Sequence, residues 1–398
     1  MIGRIKTQLG NINLFLRQVS YSQFLPSKED LDSKEAKELS KRLISDSYKE
    51  TLTNIVEWQE KNVQYWHERA EMFILLFVLS SMPFLLIPLP RYLQIFLVIL
   101  IIFAMFLDLF TLLIGALFLI SEVIAAFVIL YTANTANIST IIMVIELSII
   151  FGGIISLLLY GMLKYRYLKA SQPEFRLMDT FKSSLPVKKI LQYHLAICKD
   201  YAKLTATLLI NSYYPKNKIY FITIPQHVAA AINVKNKIYV LDQRLPIMTL
   251  EKWMDFWSIK MSNNAIFKAS SFLHRIFFEG EVQIYELVIN GKKTEIKKTD
   301  CKKMSEATDV PQIDINSLNK KIAYDMGLSQ TSDKKQPDIE INLKNFAVSY
   351  NRDEIANFSL LRAVKNKLEG ELCGNLGKIT KLEVTQNKAD LILGVYIS

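Results

Sequence analysis

Three stretches decide how this chain is read: His194-Leu-Ala-Ile-Cys198-Lys-Asp-Tyr-Ala202, Ile224-Pro-Gln-His227-Val-Ala-Ala-Ala231 and Ile238-Tyr-Val-Leu-Asp242-Gln-Arg-Leu-Pro246. The first lies in a helical pattern running from Leu185 to Ile210, the second opens a strand, and the third ends the next strand. Cysteine, histidine and aspartate in that order are a thiol nucleophile, its base and the group that orients the base. A cysteine at a helix N-terminus also gains from the positive end of the helix dipole, which favours thiolate.

The strand pattern supplies a geometric test. If the turn between the last two stretches centres on Lys235-Asn236, Asp242 falls opposite Ala229. His227 then shares a face with Ala229 and lies diagonal to Asp242, roughly 7–8 Å away between backbones. A one-residue shift would put the pair on opposite faces. Further strands are expected at Lys218–Thr223 and at Val282–Ile289, where Asn290-Gly291 suits a type I′ hairpin turn.

The three segments together resemble the transglutaminase-like superfamily, a papain-like core with Cys on a helix and His and Asp on neighbouring strands. More narrowly they resemble an uncharacterised archaeal branch that is often membrane-anchored. Cys198, Asp200, Tyr201 and Ala202 match the Cys-x-Asp-Tyr/Phe-Ala pattern; His227 and Asp242 match the other two motifs. Two positions depart from it: Ala196 stands where Gly is usual, and Val228 where an aromatic residue is usual. The resemblance implies Cys198, His227 and Asp242 as catalytic residues of a thiol hydrolase (peptidase or amidase) or a transamidase, working on a protein or peptide substrate through an acyl-enzyme. The alternative is a catalytically inactive binding or scaffolding module with the same fold.

Other candidates are weaker. His194, four residues before Cys198, would face it on a continuous helix and is a rival base. Gln192 is a candidate oxyanion donor. No second ligand pair completes a zinc site and no acidic calcium loop is present, so no metal or cofactor is expected. Cys301 and Cys373 have no histidine near them in sequence, and His67 and His274 read as interfacial or surface residues. Three cysteines in 398 residues exclude a disulfide framework.

Composition divides the chain. It is 51% hydrophobic with a formal net charge of +10, and its mean hydropathy is +0.18. Residues 72–163 hold one basic residue, Arg91, and three acidic ones, Asp108, Glu122 and Glu146. That stretch is long enough for four transmembrane helices, about 72–89, 92–110, 112–131 and 139–163, with three as the alternative. The three carboxylates have no paired base, so the spans read as an anchor and not as a transport pathway. Lys61 and Arg69 before the spans, and Lys164, Arg166, Lys169, Arg176, Lys182, Lys188 and Lys189 after them, set both termini on the cytoplasmic side. The expected localisation is therefore the cell membrane, multi-pass. Partners are the lipid bilayer and, through the basic stretch after Leu163, anionic lipid headgroups. No nucleic-acid motif is found, and no nucleic-acid partner is expected.

The expected fold class is α+β, with five parts. Residues 1–71 form a cytoplasmic amphipathic helical region, opened by the capping-box pattern Ser27 to Asp30 and carrying an apolar stripe through Leu39, Leu43, Leu52, Ile55 and Val56. Residues 72–163 are the multi-span α-helical membrane unit. Residues 164–298 form the transglutaminase-like (papain-like) α+β domain with its core at about 170–260, and residues 299–337 are a polar linker or long loop. Residues 338–398 form a small C-terminal α/β unit, with a strand at 339–348, a helix at 353–372 and strands near 379–384 and 390–397.

Overall fold

A computed structural model describes residues 23–66, 165–166, 168–176, 179, 182, 184–212, 217–224, 227–262, 282–290, 293–302, 304, 310, 312–328, 334–372 and 376–398. They fall into two compact units. One comprises residues 1–23 and 66–185, of which short pieces are described, among them an ion pair between Lys182 and Asp179 at 3.0 Å. The other comprises residues 24–65 and 186–398 and carries every element named below.

In chain order that unit runs α1 (Lys28–Asp32), α2 (Lys34–Leu43), α3 (Tyr48–Asn62), β1 (Gln64–Tyr65), α4 (Val187–Tyr193), β2 (Leu195–Ala196) and α5 (Cys198–Asn211). Next come β3 (Ile219–Ile224), β4 (His227–Val234), β5 (Lys237–Leu241), β6 (Met248–Thr249), α6 (Leu250–Ser262), β7 (Val282–Asn290) and β8 (Lys293–Lys302). The last are α7 (Ile315–Asp325), β9 (Ile339–Leu343), α8 (Phe346–Ser349), α9 (Glu354–Leu372), β10 (Ile379–Asn387) and β11 (Asp390–Ile397).

The larger sheet is antiparallel throughout, in the order β6-β5-β4-β3-β7-β8. Its central strand β4 is the apolar run Val228-Ala-Ala-Ala-Ile232, buried along almost its whole length. An unbroken apolar strand needs a cover on both faces. Helix α6 covers one face, where Trp253 and Trp257 pack with Ala229, Ala231 and Val240. Helix α5 packs against β4 as well. The turn joining β4 to β5 has Lys235 at φ 51° and Asn236 at φ 64°, the two left-handed residues that a type I′ turn demands. It fixes the register Ala230 opposite Leu241 and Val234 opposite Lys237, the pairing expected from the sequence.

At β7–β8 the pairing differs by one residue from the Asn-Gly reading: Asn290 faces Lys293. Strand β8 runs on to Lys302, and α7 lies at 315–325, so residues 299–337 are in part strand and helix instead of one long loop.

The N-terminal region is three helices packed on the unit's own core. Ser27 and Asp30 form the expected capping box, with Asp30 N–H donating to Ser27 Oγ at 3.2 Å and Ser27 N–H to Asp30 Oδ2 at 2.8 Å. Asp30 Oδ1 also accepts from Val187 N–H at 2.6 Å, so the cap anchors α4. The C-terminal three-stranded sheet, β10-β11-β9, encloses its own apolar core with α7 and α9. It is joined to the larger sheet by Ile247 N–H donating to Ser359 Oγ at 2.9 Å and Tyr239 OH donating to Asp353 Oδ2 at 2.9 Å. Arg362 and Glu57 pair at 2.9 Å between α9 and α3.

One expectation is corrected. Among the described residues no helix is long and apolar enough to cross a membrane, so the multi-span α-helical membrane unit, the multi-pass cell-membrane localisation and the cytoplasmic placing of both termini are not supported. The longest described helix, α9, has nearly the length of a span but carries Arg362, Lys365, Lys367, Glu369 and Glu371, whose charges exclude it from a bilayer. The segments expected as spans, within 72–163, lie outside the described residues. Mixed helices and sheets, an α+β architecture, are what the described chain contains.

Candidate active site

The helix expected over Leu185–Ile210 is broken. Helix α4 ends at His194, a left-handed C-cap with φ 53° and ψ 32°, and Leu195-Ala196 then runs extended before α5 begins at Cys198. The break is held from outside the motif. Gln64 N–H donates to His194 O at 2.7 Å, β1 pairs in parallel with β2, and His194 Nδ1 meets Asn62 O at 2.8 Å. Tyr201 OH donates to Val63 O, and buried Gln59 and Thr205 are hydrogen-bonded at 2.9 Å. Ala196 lies in this extended segment and has no positive φ, so no glycine is required there.

Cys198 is consequently the first residue of α5, buried and a free thiol. At a first turn the backbone N–H groups have no intrahelical acceptor, and they make the environment positive. Asp200 Oδ2 accepts from Ile197 N–H at 3.2 Å and closes the cap. His194 is exposed and held by Asn62, off the continuous helix that would have placed it over Cys198. Gln192 is exposed on α4.

His227, the first residue of β4, is buried. Its Nε2 lies 3.0 Å from Asp242 Oδ1 and 2.9 Å from Asp242 Oδ2. The diagonal geometry expected from the register is thereby present. Cys198 acts on the imidazole as well, raising its proton affinity together with Asp242. Cys198, His227 and Asp242 are therefore brought together in one cluster.

The cluster's electrostatics follow. Burial disfavours a charged imidazole, but the Asp242 charge, its hydrogen bond and Cys198 outweigh that and raise the His227 pKa to about 9. Burial likewise pushes the Asp242 carboxyl up, and the His227 charge, with hydrogen bonds from His227, Trp253 and the Gln243 backbone, brings it below its ordinary value. Near neutral pH the two form an imidazolium–carboxylate pair.

Two residues that the sequence suggested only as packing prove to shape the site. Trp253 Nε1 donates to Asp242 Oδ2 at 2.9 Å. The Trp257 ring lies against the His227 ring, centroids 4.3 Å apart. Their four-residue spacing on α6 puts both on the face that meets His227; that spacing was visible, but the strand it faces was not. Among the described residues no cluster of His, Cys, Asp and Glu could hold a metal ion.

Residues 157–271 match a family model described as a transglutaminase-like domain. The chain is also similar to a UPF0252 protein of Methanocaldococcus jannaschii, with 25% identity over 92% of this chain and 94% of that one. An uncharacterized protein of the same organism is 42% identical over 60 residues, 15% of this chain and 86% of its own. A UPF0252 protein of Pyrococcus horikoshii is 32% identical over 24% of this chain and 30% of its own. No solved structure matches the chain.

Proposed function

We propose that this transglutaminase-like protein is a thiol enzyme that transfers an acyl group from an amide through Cys198. Cys198 Sγ adds to the carbonyl carbon, and the oxyanion lies at the positive N-terminal end of α5. The C–N bond then breaks as His227 Nδ1 gives its proton to the leaving amine. The thioester left behind is attacked by water or by a second amine, which hands its proton to His227 as the C–S bond breaks and the thiolate returns. Asp242 holds the imidazole by Nε2 throughout and stabilises its charged form.

One observation carries this reading: a buried histidine paired through one nitrogen with a carboxylate, and close enough to a thiol at a helix start for that thiol to raise its proton affinity. An imidazole in a purely structural role does not need both partners.

The test is the rate of iodoacetamide labelling at Cys198 against pH, read by mass spectrometry, beside His227→Ala. Fast labelling at pH 6 that the substitution slows supports the pair. An ordinary thiol profile with a midpoint of about 8.5, unchanged by the substitution, overturns it.

A further inference from the structure

The thiol reading leaves the substrate open, and the groups around the cluster narrow it. On α6, Lys260 Nζ sits 4.2 Å from the centroid of the Trp257 ring, whose centroid is 4.3 Å from that of His227. The indole is thus flanked by an ammonium and an imidazole. Two residues beyond Asp242, Arg244 is exposed, next to Leu245, whose N–H donates to Glu60 Oε2 at 3.2 Å. The Arg244 charge acts on Lys260, on Glu60 and on Tyr201, one turn after Cys198. Lys260 therefore reaches His227 through Trp257, and Arg244 follows two residues after Asp242.

The negative charges of that region are already engaged. Asp242 is bound to His227 and Trp253. Glu60 accepts the Leu245 N–H. Glu57, about one turn earlier on α3, is paired with Lys61 and Arg362. Among the described residues neither Lys260 nor Arg244 takes part in an ion pair. Burial lowers the Lys260 pKa, the Asp242 charge raises it and the Arg244 charge lowers it.

Resting on the thiol reading, we infer that Arg244 and Lys260 form a cationic rim to the Cys198 site and select acyl donors that carry a carboxylate beside the scissile amide. Acidic side chains and terminal carboxylates share that chemistry. Glutamyl, aspartyl and carboxyl-terminal amide donors are the class it describes.

Two alkylating probes of nearly the same size separate the two ideas: iodoacetate carries the carboxylate, iodoacetamide does not. The measurement is the ratio of their second-order rate constants at Cys198, at low and high salt, for the full chain and for Arg244→Gln, Lys260→Met, the two combined, Lys260→Arg and Lys252→Met. The rim predicts a ratio that falls about tenfold or more in the double substitution and falls likewise with added salt, since local potential raises on-rates by that order. Lys260→Arg retains the ratio, and Lys252→Met, which removes a cation elsewhere on α6, leaves it unaltered. Rapid iodoacetamide labelling with a ratio indifferent to Arg244, Lys260 and salt overturns the rim and leaves the thiol reading standing. A thiol slow toward both reagents overturns both.

Discussion

His227 and Asp242, fifteen residues apart in the chain, meet through a single nitrogen: Nε2 lies within 3.0 Å of both carboxylate oxygens. The pairing commits that nitrogen to the carboxylate and fixes the ring's orientation. Replacing the charge while keeping the shape isolates its contribution. Asp242→Asn is expected to bring the His227 pKa down from about 9 and to slow iodoacetamide labelling of Cys198 at pH 6. The loss is roughly tenfold for each 1.4 kcal/mol by which the thiolate–imidazolium pair is weakened. Labelling at the native rate would remove Asp242 from the scheme.

The same pair makes folding stability depend on pH. The His227 pKa is raised from 6.5 to about 9, so its stabilisation is complete below 6.5 and is lost as pH rises through 9. The Asp242 carboxyl is lowered, so its share is present above its ordinary value near 3.8 and fades as pH falls below that. Urea unfolding of the native chain should therefore show a decline between pH 6.5 and 9, worth about 1.4 kcal/mol for each tenfold gain in the proton affinity of His227 on folding. His227→Gln should flatten that decline. A native profile level across this window would contradict the pairing.

Trp253 is the second donor to Asp242, from a fully buried indole. Trp253→Phe keeps most of the apolar volume but removes the N–H. It is expected to cost about 1–3 kcal/mol in urea unfolding, the usual range for a buried acceptor deprived of one partner. Labelling at pH 6 should slow with it. Unchanged stability and labelling would show that His227 and the Gln243 N–H fix the carboxylate without the indole.

The join between the N-terminal arm and α5 rests on Gln59 and Thr205, both fully or almost fully buried and hydrogen-bonded to each other. Gln59→Met preserves length and leaves the Thr205 hydroxyl to find another acceptor. A loss of about 1–3 kcal/mol is expected in chemical denaturation. A change below about 0.5 kcal/mol, typical of an uninvolved surface site, would mean that the arm holds α5 by its apolar contacts alone.

Placing a glycine at position 196 should not help. Ala196 is 2% exposed and paired in β2 with Tyr65. Ala196→Gly should therefore destabilise by about 0.5–1 kcal/mol through backbone entropy, with no gain in Cys198 labelling. Faster labelling would show that the break before α5 is too stiff for the thiol to reach its reagent.

The pairing of His227 with Asp242 was legible because strand chemistry is local. Lys235-Asn236 can form the turn, alternation does the rest, and the register that puts His227 diagonal to Asp242 follows from counting. The Ser27–Asp30 cap and the apolar stripe of α2 and α3 were legible for the same reason, since capping and helical periodicity act within a few residues. The start of α5 was not. A run from Val187 to Ile210 has helical periodicity throughout, and what interrupts it at His194 is a hydrogen bond from Gln64 and a strand pairing with a segment some 130 residues earlier in the chain. Local propensity cannot register a partner that far away. Nor could it tell that Trp253 and Trp257 face His227, because their contribution depends on where α6 lands on the sheet. Hydropathy at 72–163 suggested membrane spans; that stretch lies outside the described residues, among which no helix is long and apolar enough to be one. The sequence by itself determined the turn and the register that pair His227 with Asp242. Only the tertiary structure decided where the helix of Cys198 begins and which groups surround His227, because those depend on contacts closed between distant parts of the chain.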